Sequence, residues 1–573
     1  MKPEMRSAIL RSVNAAWTSW ALLLIAGCGN SELPEDMAKK GTVDNEVPTA
    51  WFSEEAKIRG LNFRHESGFN GRQPYLPEIT GSGAALVDVD GDGDLDAYIV
   101  QSGSLHDDDK KRGNALYLND GSGHFVAVDG AGGAADTGYG MGVSAGDMDN
   151  DGDIDLYVTN VGPNVLFAND GTGKFSDITE KAGVGDPGWS TGSAFLDIDN
   201  DDDLDLVVLN YISWSIATEL KCYVGNALTY CPPANYNAPA IDRLFRNNGT
   251  GRFEDITEQS RFDTSFGNGF GIVGADFNVD GYVDMFIAND MMNDQLWIND
   301  GNSGFDDNAM LWGSALGEHG IANAGMGVAA GDIDDDSDID VMVVNLEGQT
   351  DSFFRNERTY FRDATAEIGL GLSGRYTRFG VVLTDFDNDG QLDLYEANGK
   401  VSAPSPTAGN IFDEPNVLLK GTSGGQFKEI QPIGGVGTEL EHTSRGLAVG
   451  DVDGDGGMDI LVVNRDGPAY LLINNLPNRG QAARFKALTA ADGRDAYGAM
   501  ISGRVGEKRL YRRIQPDGSY LSYSEPVAHF GLGTRKRIID VRVLWPGNDQ
   551  EEAFGDFEVG QVISLVRGSG ITN

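Results

Sequence analysis

At 573 residues the chain is too long for one compact core unless it repeats, and its 40% hydrophobic content is enough to build a packed interior. The formal net charge of −45 excludes attraction to nucleic acid or to anionic lipid. Glycine stands at 78 residues against 19 prolines with no strict period, so the chain turns often and is not collagen-like.

Lys2, Arg6 and Arg11 precede an apolar run over 15–26, too short to span a bilayer comfortably, and Ile25-Ala26-Gly27-Cys28 follows. This reads as an export signal over 1–28. The site resembles a bacterial lipobox, which implies lipidation at Cys28 and a protein held at the cell envelope, at the outer membrane or cell surface, through that lipid alone. Residues 29–49 are polar and aperiodic, a tether.

From 50 to 478 the chain repeats. Seven nine-residue segments begin at 88, 147, 197, 276, 332, 385 and 451, the first reading Asp88-Val-Asp-Gly-Asp-Gly-Asp-Leu-Asp96. Position 1 is Asp88, Asp147, Asp197, Asp276, Asp332, Asp385 or Asp451. Position 3 is Asp90, Asp149, Asp199, Asn278, Asp334, Asp387 or Asp453. Position 5 is Asp92, Asp151, Asp201, Asp280, Asp336, Asp389 or Asp455. Position 7 is Asp94, Asp153, Asp203, Tyr282, Asp338, Gln391 or Gly457, and position 9 is Asp96, Asp155, Asp205, Asp284, Asp340, Asp393 or Asp459.

Gly-Val-Ser-Ala-Gly (142–146), Gly-Val-Ala-Ala-Gly (327–331) and similar runs stand before these segments, and apolar runs such as Leu206-Val-Val-Leu-Asn210 follow them. Asn-Asp-Gly or Asn-Gly turns then lead to Phe-x-Asp-Ile-Thr strands. Each unit supplies about four short strands, one blade, which predicts an all-β, seven-bladed β-propeller. The seventh unit lacks its Phe-x-Asp strand, and the spare copy lies at 51–63, so the N-terminal segment is expected to complete the last blade.

The Asp segments suit Ca²⁺. A hard dication takes several oxygen ligands, here the side chains at positions 1, 3, 5 and 9 and the carbonyl at position 7. Carboxylates crowded onto nine residues repel one another unless a cation lies among them, and seven phased copies are unlike a chance acidic turn. Up to seven Ca²⁺ are expected. Position 12 of the first segment is Ile99, inside a strand, so the loops are not EF-hands. Asp202 and Ser337 replace the position-6 glycine in the third and fifth loops, which are therefore expected to be strained. The longest interval between loops holds Cys222 and Cys231, a disulfide by default in an exported chain.

These loops and Phe-x-Asp-Ile-Thr strands resemble FG-GAP/VCBS repeats. Arg494-Asp-Ala-Tyr-Gly-Ala499, Gly518-Ser-Tyr-Leu-Ser522, His529-Phe-Gly-Leu-Gly533 and Val541-Arg-Val-Leu-Trp-Pro-Gly547 resemble an ASPIC/UnbV domain. The pair resembles the cartilage acidic protein-like family. That resemblance implies extracellular, calcium-dependent binding or adhesion to a glycan or protein, and metal ligation by the aspartates at positions 1, 3, 5 and 9. Residues 479–573 read as β throughout and carry a net +3 in an otherwise acidic chain, so this domain either docks on the ring or stands as a separate module.

Gly142-Val-Ser-Ala-Gly146 matches a hydrolase elbow but precedes an Asp loop rather than a helix. Propellers do host enzymes in their channels, so a calcium-dependent carbohydrate-active enzyme is the alternative. Glu78, Arg375, Arg378, Glu396 and Arg445 are its candidate residues, since they flank the Asp loops where blade ends meet.

Overall fold

The computed structural model describes residues 49–573 except 70, 72, 106–110, 372, 402–410, 490–492, 515, 549 and 573. The export signal, Cys28 and the tether up to residue 48 lie outside the described residues. Among the described residues the helices are single turns, and everything else regular is strand.

Seven four-stranded antiparallel sheets follow one another. In the second, Gly140–Gly146 pairs with Asp155–Asn160, which pairs with Val165–Asn169, which pairs with Phe175–Asp177. The first strands of the seven sheets are Ala84–Val87, Gly140–Gly146, Ser190–Leu196, Gly269–Ala275, Val328–Gly331, Arg378–Thr384 and Ser444–Gly450. Each packs against the next, and the last against the first, so the circuit is closed. Both faces of each sheet are covered by neighbouring sheets, which is why second strands such as Asp205–Asn210 are buried at every residue. The apolar core accordingly lies between sheets: Tyr98, Val143, Tyr157, Phe195 and Leu206 belong to one cluster crossing three of them.

Crowding at the axis explains the glycines before the Asp loops. A Cβ on Gly142 would stand 2.7 Å from the Thr191 carbonyl oxygen of the next sheet, and one on Gly327 would stand 2.0 Å from that of Phe379. The Gly-x-Ser-x-Gly match is thus an inner strand, and Ser144 shares a hydrogen bond with Ser193 of the adjoining sheet.

The seventh sheet is completed as the sequence predicts. Phe52–Glu54 pairs antiparallel with Tyr470–Asn474, with Phe52 opposite Asn474. Trp51, Phe52 and Phe63 are buried.

A second device links the sheets. The third strand of six sheets ends in asparagine, and its amide donates to the position-2 carbonyl of the preceding loop. Asn169 reaches Val89 at 2.8 Å, Asn247 reaches Met148 at 2.6 Å, and Asn119 closes the circuit on Val452 at 2.8 Å. The sixth sheet has Gly421 there.

Residues from Gln481 onward form two further sheets. One is three-stranded, with Gln481–Leu488 between Ala528–Gly533 and Ile563–Val566; the other is five-stranded. They belong to one compact unit with the ring, Pro48–Asn573, so docking replaces the separate-module reading. The region rests on the Asp loops: Arg484 pairs with Asp451 at 2.6 Å, Lys508 with Asp335 at 2.6 Å, and Arg567 with Asp202 at 2.6 Å.

From it one segment, 517–525, enters the axis. The Ser519 carbonyl accepts from Val328 N at 3.0 Å, the Leu521 carbonyl from Val143 N at 3.1 Å, and the Tyr523 carbonyl from Leu86 N at 3.1 Å. Ser522 Oγ accepts from Ala84 N and Leu447 N, and Asp517 accepts from Gly274 N at 2.7 Å. Inner strands have a free inward edge, and this segment satisfies backbone donors on five of the seven. Gly83 accommodates it, since a Cβ there would lie 1.7 Å from the Leu521 carbonyl oxygen.

Candidate metal centres and the filled channel

Each Asp loop makes the same turn. Positions 4 and 6 adopt left-handed backbone, with φ of 72° and 95° at Gly91 and Gly93 and 61° and 93° at Asn150 and Gly152. Asp202 (70°) and Ser337 (79°) adopt it too, as expected of the third and fifth loops. The fourth loop holds the less suitable residue: Val279 at position 4 has φ 59°, and a β-branched side chain pays most for that conformation.

The turn brings backbone N–H groups onto position 1. Asp88 accepts from Gly91 and Gly93, and Asp147 from Asp151 and Gly152. The position-9 side chain braces the loop against the sheet: Asp155 accepts from Met148 N at 3.0 Å and Asn169 N at 2.8 Å, and Asp96 does the same with Val89 and Asn119.

Position 3 is different. The Oδ1 atoms of Asp90, Asp149, Asp199, Asp334 and Asp453 are buried with no hydrogen-bond partner. In four of these loops, ligand atoms of three carboxylates lie within 4.8 Å of one another: Asp88, Asp90 and Asp96; Asp147, Asp149 and Asp155; Asp197, Asp199 and Asp205; Asp332, Asp334 and Asp336. Asp385, Asp387 and Asp393 cluster in the same way. Burial pushes these acids up, Asp147 to about 6, Asp96 to about 7, Asp155 and Asp340 to about 8. Buried carboxyls this close must hold protons or a cation at neutral pH. Convergent, water-excluded oxygens with unused lone pairs fit a hard divalent ion, and position 7 can contribute its carbonyl whatever its side chain, so Tyr282, Gln391 and Gly457 are compatible there. In the fourth loop Asn278 instead donates to Asp280 at 2.8 Å.

The channel candidates do not all converge: Arg378 and Glu396 share Asp351, while Arg375, Arg445 and Glu78 each have other partners. Arg378 pairs with Asp351 at 2.6 Å, and burial and the nearby Asp351 raise the Glu396 carboxyl well above its ordinary range. Arg375 pairs with Glu429 at 2.5 Å on the surface. Arg445 lies 3.8 Å over the Phe379 ring and donates to the Ile79 carbonyl at 2.9 Å. Glu78 is buried in the single turn Leu76–Ile79 and pushed up to about 8 by that burial. The axis itself is packed: Tyr520 OH donates to Thr80 O at 3.0 Å, and its ring lies 4.9 Å from Phe379 and 5.3 Å from Phe270. Beyond Tyr520 an aromatic cluster includes Trp189, Tyr211 and Trp214. Trp214 belongs to the long insertion, where Cys222 and Cys231 form a disulfide with Cα atoms 5.2 Å apart.

Sequence reading missed three features: the asparagine ties, Val279, and the cations beside some loops. The asparagines were visible as a recurrent Asn at the end of six of the seven third strands, but their partners lie in another unit. The pairs Arg355–Asp334 at 2.9 Å and Arg59–Asp453 at 3.2 Å could not be read at all, because they join residues 21 and 394 positions apart.

The chain matches the ASPIC and UnbV family over 489–572. It matches the FG-GAP-like repeat over 88–158, 147–208, 276–343 and 332–396. It is 28% identical to cartilage acidic protein 1 of Mus musculus over 290 residues, 49% of this chain and 43% of that protein. The human protein is 28% identical over 270 residues, 46% of this chain and 38% of that one. The matched region thus spans less than half the length of these curated relatives. Among solved structures, the BP39L lectin of Burkholderia pseudomallei aligns with 69% of this chain and 96% of its own at 11% identity, with a TM-score of 0.42, too low to bear on ligand or function. The repeats and the domain that follows them therefore agree with the geometry: the chain carries FG-GAP-like repeats and an ASPIC/UnbV domain, and over about half its length it is similar to cartilage acidic protein 1.

Proposed function

We propose that the protein is an exported, seven-bladed propeller loaded with Ca²⁺ that binds or adheres to a glycan or protein at the cell envelope, anchored through lipid at Cys28. The observation that carries the metal is the set of five position-3 carboxylate oxygens, buried, unpartnered and each in the same place of a repeated turn. A binding role suits an axis filled by side chains better than catalysis in the channel does, since 517–525 occupies the space a substrate would need. Ions that bind only the folded chain raise its stability by mass action. Calorimetry of the metal-stripped protein in EGTA, then with excess Ca²⁺, should show the melting temperature rising by well over 10 °C; an unchanged value sinks the metal reading. Glycan arrays and pull-downs run with and without Ca²⁺ then test the binding role, and retention that ignores Ca²⁺ would separate the ligand from the loops.

A further inference from the structure

The seven loops are not equivalent, and one difference lies one residue before the end of each third strand. That position is Leu118, Ala168, Arg246, Ile298, Arg355, Lys420 and Ile473 in turn. Three are cations, and they behave differently. Arg246 turns away to Glu254 at 2.9 Å. Arg355 takes one oxygen of Asp334 at 2.9 Å and leaves the other free. Lys420 enters the sixth loop, where its ammonium donates to Asp387 at position 3 and, at 2.8 Å, to Asp389 at position 5. The neighbouring Trp51 ring lies 5.6 Å from the same nitrogen, so the closing N-terminal segment helps to hold it. Asp387 has no orphaned oxygen, unlike five of its six counterparts.

We infer that the sixth loop carries the Lys420 ammonium in place of Ca²⁺, so that this chain binds one ion fewer than its count of Asp loops implies. The inference rests on the metal reading of the other loops. A Ca²⁺ entering loop six would need two carboxylates already engaged in charge-assisted hydrogen bonds, and would sit beside a fixed positive charge. The ammonium is a compact, three-donor cation, able to bridge two carboxylates that a divalent ion would otherwise share. Gly421 next to it is also the one departure from the asparagine ties, so the sixth unit differs from the others at both adjoining positions.

Native mass spectrometry of the folded protein in excess Ca²⁺ counts the ions directly. Lys420→Met keeps the chain length and removes the charge; Lys420→Gln does so with a polar end and serves if the first variant folds poorly. The expected result is one more Ca²⁺ in the variant than in the wild type, with a melting temperature that drops in EGTA and recovers in Ca²⁺. An equal or lower count in both folded variants overturns the inference. The wild-type count separately tests the metal reading: if it is zero, that reading fails, while a gain of one ion in the variant would still stand as the effect of Lys420.

Discussion

The ring and the C-terminal region solve opposite halves of one packing problem. Each of the seven sheets follows one plan and touches chiefly its two neighbours, so repetition supplies almost every contact around the circumference. It cannot supply the axis, where seven inner edges face one another and no eighth copy exists to pair them. The C-terminal region repeats nothing, and its segment 517–525 meets Gly274 with a carboxylate, Val328 and Val143 with backbone carbonyls, and Ala84 and Leu447 with one shared hydroxyl, Ser522 Oγ. A symmetric array thus leaves an asymmetric need, and one irregular strand meets it. The C-terminal region is part of the ring's interior as much as a module beside it.

The severest way to break this comparison is to remove everything after Asn475. Inner-strand donors would lose their partners, and a buried unpaired donor costs about 1–3 kcal/mol each. Five such losses rival a total stability of about 5–15 kcal/mol. The truncated chain should aggregate or lose its cooperative melt by circular dichroism and size exclusion; a monomer with an unchanged melting temperature would make the region an independent module after all.

Truncation at the other end asks whether the circumference is as dependent as the axis. Starting the chain at Arg64 removes Phe52–Glu54 from the seventh sheet together with buried Trp51, Phe52 and Phe63. Burying each such side chain contributes roughly 1.5–3 kcal/mol. The protein should melt far lower and self-associate through the freed edge, whereas starting at residue 50 should leave the melting temperature unchanged. Equal melting of the two truncations would mean that the ring closes without this strand.

A finer cut tests the links between neighbouring sheets. Asn169→Ala deletes the amide that donates to Val89 at 2.8 Å and Ile154 at 3.0 Å, leaving buried carbonyls unpaired. Urea unfolding should register a loss of about 1–3 kcal/mol. A loss below a few tenths would show that the sixth sheet, with Gly421, is the better guide to what these ties contribute.

The smallest effect has the opposite sign. Val279→Gly relieves a β-branched residue at φ 59° on an exposed turn and should stabilise the protein by about 1 kcal/mol. A destabilised variant in the same urea assay would mean that the Val279 side chain makes contacts that outweigh its backbone strain.

What is local and periodic was legible in the residues alone. Alternating glycine, aspartate and apolar runs specify the turn, the strands on either side and the number of units, because φ > 0, ligand spacing and strand pairing are set within about ten residues. The borrowed strand at 51–63 was legible for the same reason, as a copy of a unit missing from the other end. Which carboxylates meet a cation from elsewhere, as Asp387 meets Lys420 and Asp451 meets Arg484, was not legible there, since such pairs depend on how sheets are packed. That packing also decided that residues 517–525 fill the axis. Nothing in Gly518-Ser-Tyr-Leu-Ser522 announces a plug, because the inner edges it satisfies come into existence only when the seven sheets close on one another.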